Sequence, residues 1–278
     1  MIDASTNTYA ILTDTTKCTG CEKCVAACKK INQLGEDRPE RWKATIDDLS
    51  STRFTTVMRR PGAHFVRRQC RHCLEPACVS ACIVGALKKQ PEGPVTYDAG
   101  RCMGCRYCMV ACPFGIPRYE WERAAPKIRK CTMCFERLKD GKQPGCTEAC
   151  PEGATIFGPR EELLAEAKRR VASDGKYGKM IYGEKEVGGT SVIYVSDIPL
   201  GFLAWKPELD DKPLPDRTWA ALSEVPWVAG GVGLGMLGVW WVIGRRMSLQ
   251  AQAIAESAAA EGAAPAESSE SQKKDSEK

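Results

Sequence analysis

The sequence predicts an α+β fold followed by one transmembrane helix, and three observations carry that prediction. Sixteen cysteines fall into four groups of four, with none outside them. Short stretches near residues 9–12, 53–58 and 191–195 read as strands, while residues 160–171 repeat apolar positions at helical spacing. Residues 225–244 carry no charge.

The first cysteine group is Cys18, Cys21, Cys24 and Cys28, and the second is Cys70, Cys73, Cys78 and Cys82. The third is Cys102, Cys105, Cys108 and Cys112, and the fourth is Cys131, Cys134, Cys146 and Cys150. The first and third read C-x2-C-x2-C-x3-C, and the third and fourth close with Cys112-Pro113 and Cys150-Pro151. That is the ligand run of bacterial-type ferredoxins, whose thiolates hold cubane [4Fe-4S] clusters. A cube offers four iron corners, each suited to one soft thiolate. Two-residue gaps let a tight loop reach three corners. The fourth cysteine, expected at the start of a helix, points away and serves a neighbouring cluster, and the proline after it turns the chain. Four runs imply four [4Fe-4S] clusters, all sixteen cysteines being ligands, close enough to pass electrons along. The second and fourth groups carry four and eleven residues between their second and third cysteines, so each adds a loop without losing a ligand.

Other uses of cysteine fit less well. A structural zinc draws four ligands from two C-x2-C pairs and often includes histidine, whereas these cysteines come as triplets plus one and the chain has two histidines. Disulfide frameworks suit short secreted chains, and cysteines two residues apart are awkward to bridge. A catalytic thiol would be a lone cysteine beside a base, so no catalytic residue is expected. His72, between Cys70 and Cys73, reads as a supporting or surface residue rather than a ligand, and His64 reads as structural.

The net charge is +5, with Lys29, Lys30, Arg67, Arg68, Arg71, Arg101, Arg106, Arg129 and Lys130 crowding the cysteine groups. Two readings stand side by side: cations that offset the negative charge of ligated cubes, or a solvated face that docks an acidic partner. Nucleic acid is not required to explain a balance spread among so many acidic residues. Because ligation free energy is folding free energy, the metal-free chain is expected to fold poorly.

In order along the chain, residues 1–16 form a lead-in with the first strand, and residues 35–61 a polar insertion that turns to β-type alternation. A Pro/Gly turn at 91–94 separates the second and third groups. Leu163, Leu164, Ala167 and Val171 give the 160–171 helix its packing face, and residues 199–215 read as an extended, proline-bearing connector. This divides the chain into a cluster domain (1–160), an accessory segment (161–224), a membrane span (225–244) and a disordered tail (245–278).

Twenty residues at 1.5 Å each match a hydrocarbon core of about 30 Å. Trp227 at one end and Trp240 and Trp241 at the other fit interfacial belts, and Gly231-x3-Gly235 offers a close-packing face in lipid. Arg245 and Arg246 place the tail in the cytoplasm and the cluster domain on the periplasmic side of the inner membrane, although Lys206, Lys212 and Arg217 lie upstream. No secretory apolar region opens the chain, so export is expected through a removed twin-arginine signal or alongside a signal-bearing partner. The span holds no histidine and Met236 is alone there. Nothing in it ligates a haem, and a membrane partner must supply the quinone site.

With the stretches CRHCLEPAC, CMGCRYCMVACPFGIPRYEW and CTMCFERLKDGKQPGCTEACPEGA, the chain resembles the ferredoxin-like electron-transfer subunits of membrane-bound respiratory oxidoreductases. Those include the β subunits of formate dehydrogenase, nitrate reductase and dimethyl sulfoxide reductase. The stretches IFGPREELLAEAKRRV and YGEKEVGGTSVIYVSDIP, with the late span, resemble most the iron–sulfur subunit of periplasm-facing nickel–iron hydrogenases. The resemblance covers residues 8–245. It implies two ferredoxin-like modules, each with two clusters, in which the first group pairs with the fourth and the second with the third. The ligand sets so implied are Cys18/Cys21/Cys24/Cys150, Cys131/Cys134/Cys146/Cys28, Cys70/Cys73/Cys78/Cys112 and Cys102/Cys105/Cys108/Cys82, an assignment that spacing alone does not choose. Cys82 departs from the pattern in preceding Ile83 rather than proline. The resemblance also implies a catalytic oxidoreductase subunit, hydrogenase or formate dehydrogenase, as electron donor, and an integral membrane quinone-reactive subunit as acceptor. Rival readings are the same wire run from quinol to a terminal reductase, a zinc-binding scaffold, and a soluble polyferredoxin.

Overall fold

A computed structural model describes residues 8–36, 49–173, 175–205 and 208–262. The start of the lead-in, much of the polar insertion, Lys206 and the end of the tail lie outside the described residues.

Strand β1 (Tyr9–Asp14) is buried at every position after Tyr9. Such a run needs partners on both edges, and it has them. It pairs antiparallel with β8 (Thr155–Pro159) and parallel with β9 (Val192–Val195), giving the order β8-β1-β9. All four residues of β9 are buried, as a run of Val, Ile, Tyr and Val in a doubly covered strand should be. The helix expected over 160–171 runs Arg160–Ser173 (α6 below) and lays Leu163 and Ala167 against Leu12, Ile193 and Val195.

The remaining strands form three hairpins: β2 (Thr56–Arg60) with β3 (His64–Arg68), β4 (Leu87–Lys89) with β5 (Val95–Tyr97), and β6 (Arg118–Tyr119) with β7 (Ile128–Arg129). The alternation seen near 53–58 therefore becomes a strand three residues later, closed by the Pro61–Ala63 turn with Gly62 at φ 79°. His64 beyond that turn faces Asp197 at 3.2 Å.

Short helices carry the cysteines. They are α1 (Lys23–Ile31), α2 (Ala77–Ser80), α3 (Tyr107–Ala111), α4 (Phe135–Lys139) and α5 (Gly145–Glu148), followed by α6 (Arg160–Ser173). Helix α1 packs on α5, and α2 on α3. The first cysteine group is thus set beside the fourth, and the second beside the third. The 199–215 segment is not an extended connector. Leu200 and Leu203 are buried with Phe114, and a single helical turn, Gly201–Leu203, forms there because burying these apolar side chains outweighs chain extension.

The chain divides into two compact units, residues 1–219 and 220–278. Helix α7 (Leu214–Gly262) supplies the described part of the second. It begins before the expected span and ends after it, with Pro226 inside. Its apolar side chains are uncovered, Trp227 being 80% and Leu234 72% exposed. A core helix of a soluble protein would bury them, so lipid is the solvent that suits this surface. Carbonate extraction should leave the full chain in membranes and release one truncated before Leu214; equal release of both would remove the anchor.

Candidate metal centres

The four cysteine groups share one backbone device. The residue just before the second cysteine has positive φ in every group: Gly20 (75°), His72 (49°), Gly104 (76°) and Met133 (57°). This left-handed step curls the loop so that successive cysteines face inward. Glycine takes it without strain, whereas His72 and Met133 cost about 1–2 kcal/mol each. Both are about 1% exposed, so surrounding packing holds them there. The curl also aims N–H groups at sulfur: Gly104 N–H reaches Cys102 Sγ at 3.4 Å and Met133 N–H reaches Cys131 Sγ at 3.3 Å.

The position of the fourth cysteine differs from the expectation. The third cysteine, not the fourth, begins the helix: Cys24, Cys78, Cys108 and Cys146 each sit in a first turn. Cys28 lies late in α1, Cys112 caps α3, and Cys82 and Cys150 follow α2 and α5. A four-residue step is one helical turn, which moves the fourth thiol away from the other three. Proline follows Cys112 and Cys150, with Cys112 already extended at ψ 112°, whereas α1 runs on past Cys28 to Ile31. At Cys82, where Ile83 replaces proline, the Ala86 N–H bonds Sγ at 3.2 Å instead.

The thiols gather in four sets. Cys18, Cys21, Cys24 and Cys150 line one cavity, and Cys82, Cys102, Cys105 and Cys108 line another. Burial pushes the Cys28 thiol up to about 12, with Cys146 and Cys134 adding to the effect. Burial also raises Cys131 far above the ordinary range, and there Cys28, Cys70, Cys134 and Cys146 contribute. Cys73 is raised in the same way by burial and then by Cys112, Cys78 and Cys70. The sets are themselves neighbours: Cys146 acts on Cys24, Cys70 on Cys131, and Cys108 on Cys78. That ordering runs from the cavity at Cys18 to the cavity at Cys102.

Basic residues go inside. Arg67, Arg68, Arg71 and Lys130 are all less than a tenth exposed. Lys130 Nζ donates to the Val95 and Cys131 carbonyls at 2.5 and 2.8 Å. Among the described residues Arg71 has no hydrogen-bond acceptor for its guanidinium, which lies 4.2 Å from the Tyr194 ring centroid and within 5.5 Å of those of Tyr182 and Phe114. For these four, an offsetting interior charge fits better than a solvated face. Arg101 and Arg106 do lie at the surface. The aromatic cage around Arg71 left no mark in the cysteine spacing, since Tyr182 and Tyr194 come from far downstream.

His72 is not a surface residue. It is buried, its Nδ1 accepts from the Val95 N–H at 2.9 Å, and burial holds it well below its ordinary value. The neutral ring therefore carries its proton on Nε2, which has no acceptor among the described residues.

These residues fit iron–sulfur clusters. All sixteen thiols are free. No three His, Cys, Asp or Glu side chains among the described residues come close enough to share one metal ion. Four sulfurs about one zinc would sit about 3.8 Å apart, given Zn–S bonds of about 2.3 Å. A wider ring of thiols, one per iron, suits a polynuclear cluster. Buried cations beside it suit one that carries negative charge.

Comparison with known proteins agrees. Residues 62–160, spanning the last three cysteine groups, match the 4Fe-4S dicluster domain family. A protein of Nitratidesulfovibrio vulgaris is 43% identical over 266 residues, covering 90% of this chain and 70% of its own length. The hydrogenase-2 operon protein HybA of Escherichia coli O157:H7 is 40% identical over 72% of this chain and 73% of its own. The formate dehydrogenase iron–sulfur subunit of Haemophilus influenzae is 36% identical over 67% of this chain and 64% of its own.

The turn geometry makes a prediction. A Cβ on Gly104 would meet the Pro126 carbonyl oxygen at 2.8 Å on a backbone of φ 76°, whereas one on Gly141, at φ 70°, meets nothing within 4 Å. Gly104→Ala should cost about 1–3 kcal/mol and lower the iron content of anaerobically purified protein, while Gly141→Ala should leave it unchanged. Equal iron in both variants would contradict this account of the loop.

Proposed function

Because the chain belongs to the iron–sulfur electron-transfer subunits of hydrogenase and formate dehydrogenase type, we propose that it links such a catalytic subunit to a quinone-reactive subunit in the membrane through four [4Fe-4S] clusters. The observation that carries this reading is the head-to-tail order of the four thiol sets. As ligands they would be Cys18/Cys21/Cys24/Cys150, Cys28/Cys131/Cys134/Cys146, Cys70/Cys73/Cys78/Cys112 and Cys82/Cys102/Cys105/Cys108. When bound, each cube takes up and releases one electron at a time.

The chain's own part is placement, charge and exclusion of water. The left-handed turns fix three thiols per set, and the helical step sends the fourth to the neighbouring set, so two centres are tied by one short helix. The electrostatic influence of one set on the next (Cys146 on Cys24, Cys70 on Cys131, Cys108 on Cys78) supports hopping along a line. Both ends of that line are cavities that open to the surface, where redox centres of two different partners can approach. In this reading the chain serves as conduit, and catalysis belongs to the partner subunit.

Helix α7 anchors the conduit beside its membrane partner. Arg245 and Arg246 hold the C-terminal side in the cytoplasm, with the thiol sets in the periplasm.

Anaerobically purified full chain should contain about sixteen irons, four per cube, and give four EPR-detectable centres on reduction. Cys112→Ser should remove or convert one centre and spare the others. Zinc in place of iron, or fewer than three centres, would defeat the reading. In native membranes, hydrogen or formate should reduce the centres and added quinone reoxidise them.

A further inference from the structure

Arg67 is an interior cation that borders the first thiol set and acts on the second. It lies on β3, which packs against the Thr15–Lys17 turn leading into Cys18. Its side chain lines the first cavity together with Cys18, Cys21, Cys24 and Cys150. The charges that act on it also include Cys146 and Cys131 of the second set. Only 2% of the residue is exposed.

The way it is held matters as much as where it sits. Nε donates to Thr55 Oγ1 at 3.1 Å, Nη1 to Thr155 Oγ1 at 2.8 Å, and Nη2 to Gln69 Oε1. Two hydroxyls and an amide fix the planar fork without cancelling its charge, and no carboxylate pairs with it among the described residues. A buried guanidinium lacking a counter-charge is costly, so an anion must offset it. The anions within reach are the thiolates of two sets and whatever they ligate.

We propose that Arg67 is a shared counter-charge for the two clusters held by Cys18/Cys21/Cys24/Cys150 and Cys28/Cys131/Cys134/Cys146, raising the reduction potential of both. The inference rests on the four-cluster reading above. Each cluster gains one negative charge when it accepts an electron from its donor, and a fixed cation beside it favours that state. Guanidinium stays protonated throughout, so the effect is independent of pH over the working range. Because one cation serves both, the two potentials move together, which keeps the step between them level.

The test is potentiometric titration, followed by EPR, of the full anaerobic chain with its native partners. Signals are assigned with Cys21→Ser and Cys134→Ser. In Arg67→Gln, iron analysis should still give four centres, the first and second potentials should fall together, and the third and fourth should stay in place. Arg67→Lys, which keeps the charge, should stay near the wild type. Four unmoved potentials, or a uniform shift of all four, would overturn the proposal. Should Arg67→Gln shed iron, Thr155→Asp decides, since it sets a carboxylate against the same guanidinium. Thr155 lines the first cavity, so a fall in the second potential too supports sharing, and a fall in the first alone refutes it. Wild-type protein with fewer than three centres would sink the four-cluster reading and the inference with it; a full set of centres with unmoved potentials sinks the inference alone.

Discussion

A thiol out of water resists losing its proton, and this interior packs such thiols side by side. Burial alone raises Cys28, Cys73 and Cys131, and every neighbouring thiolate raises them further. Only a bound cation makes the ionised form the stable one, and iron supplies it. The remainder of the architecture follows from that constraint. Left-handed turns hold thiols in place against mutual repulsion, N–H groups point at sulfur, and Arg67, Arg68, Arg71 and Lys130 occupy positions where an ordinary core would carry apolar side chains.

The site was largely legible because ligand chemistry is local: two-residue gaps, a three-residue gap and proline describe a loop and a short helix whatever surrounds them. What stayed hidden was non-local. Spacing could not say that Cys150 closes the cavity of Cys18, since that depends on β1 pairing with β8 and α1 packing on α5. Nor could it say that His72 is buried, because its burial comes from Val95 and Ser191 on distant segments. The helix at 160–171 and the apolar span were readable from period and composition. The 199–215 segment was misread, as its prolines masked the few leucines that dock on the core.

Charge within the fold is unevenly matched. Surface pairs such as Lys139 with Glu136 are ordinary. Beside the thiols the pattern differs: among the described residues, Arg67, Arg71 and Lys130 meet hydroxyls, an amide, carbonyls and aromatic faces, whereas the buried Asp14 pairs with Arg170. Those neutral contacts fix geometry and leave positive potential in place, directed at whatever the thiols hold. Polarity that would destabilise a plain hydrophobic core is here a part of it.

The cavity opened by Cys18 near the start of the chain is completed by Cys150, beyond two intervening cysteine groups. With Cys150 as the fourth ligand proposed above, the earliest loop waits during synthesis, one corner short, until the ribosome has delivered almost the whole cluster domain. Iron loaded before that moment would meet three thiols and a vacancy open to oxygen. On that ligand reading, delivery of cofactor to this chain is a late event.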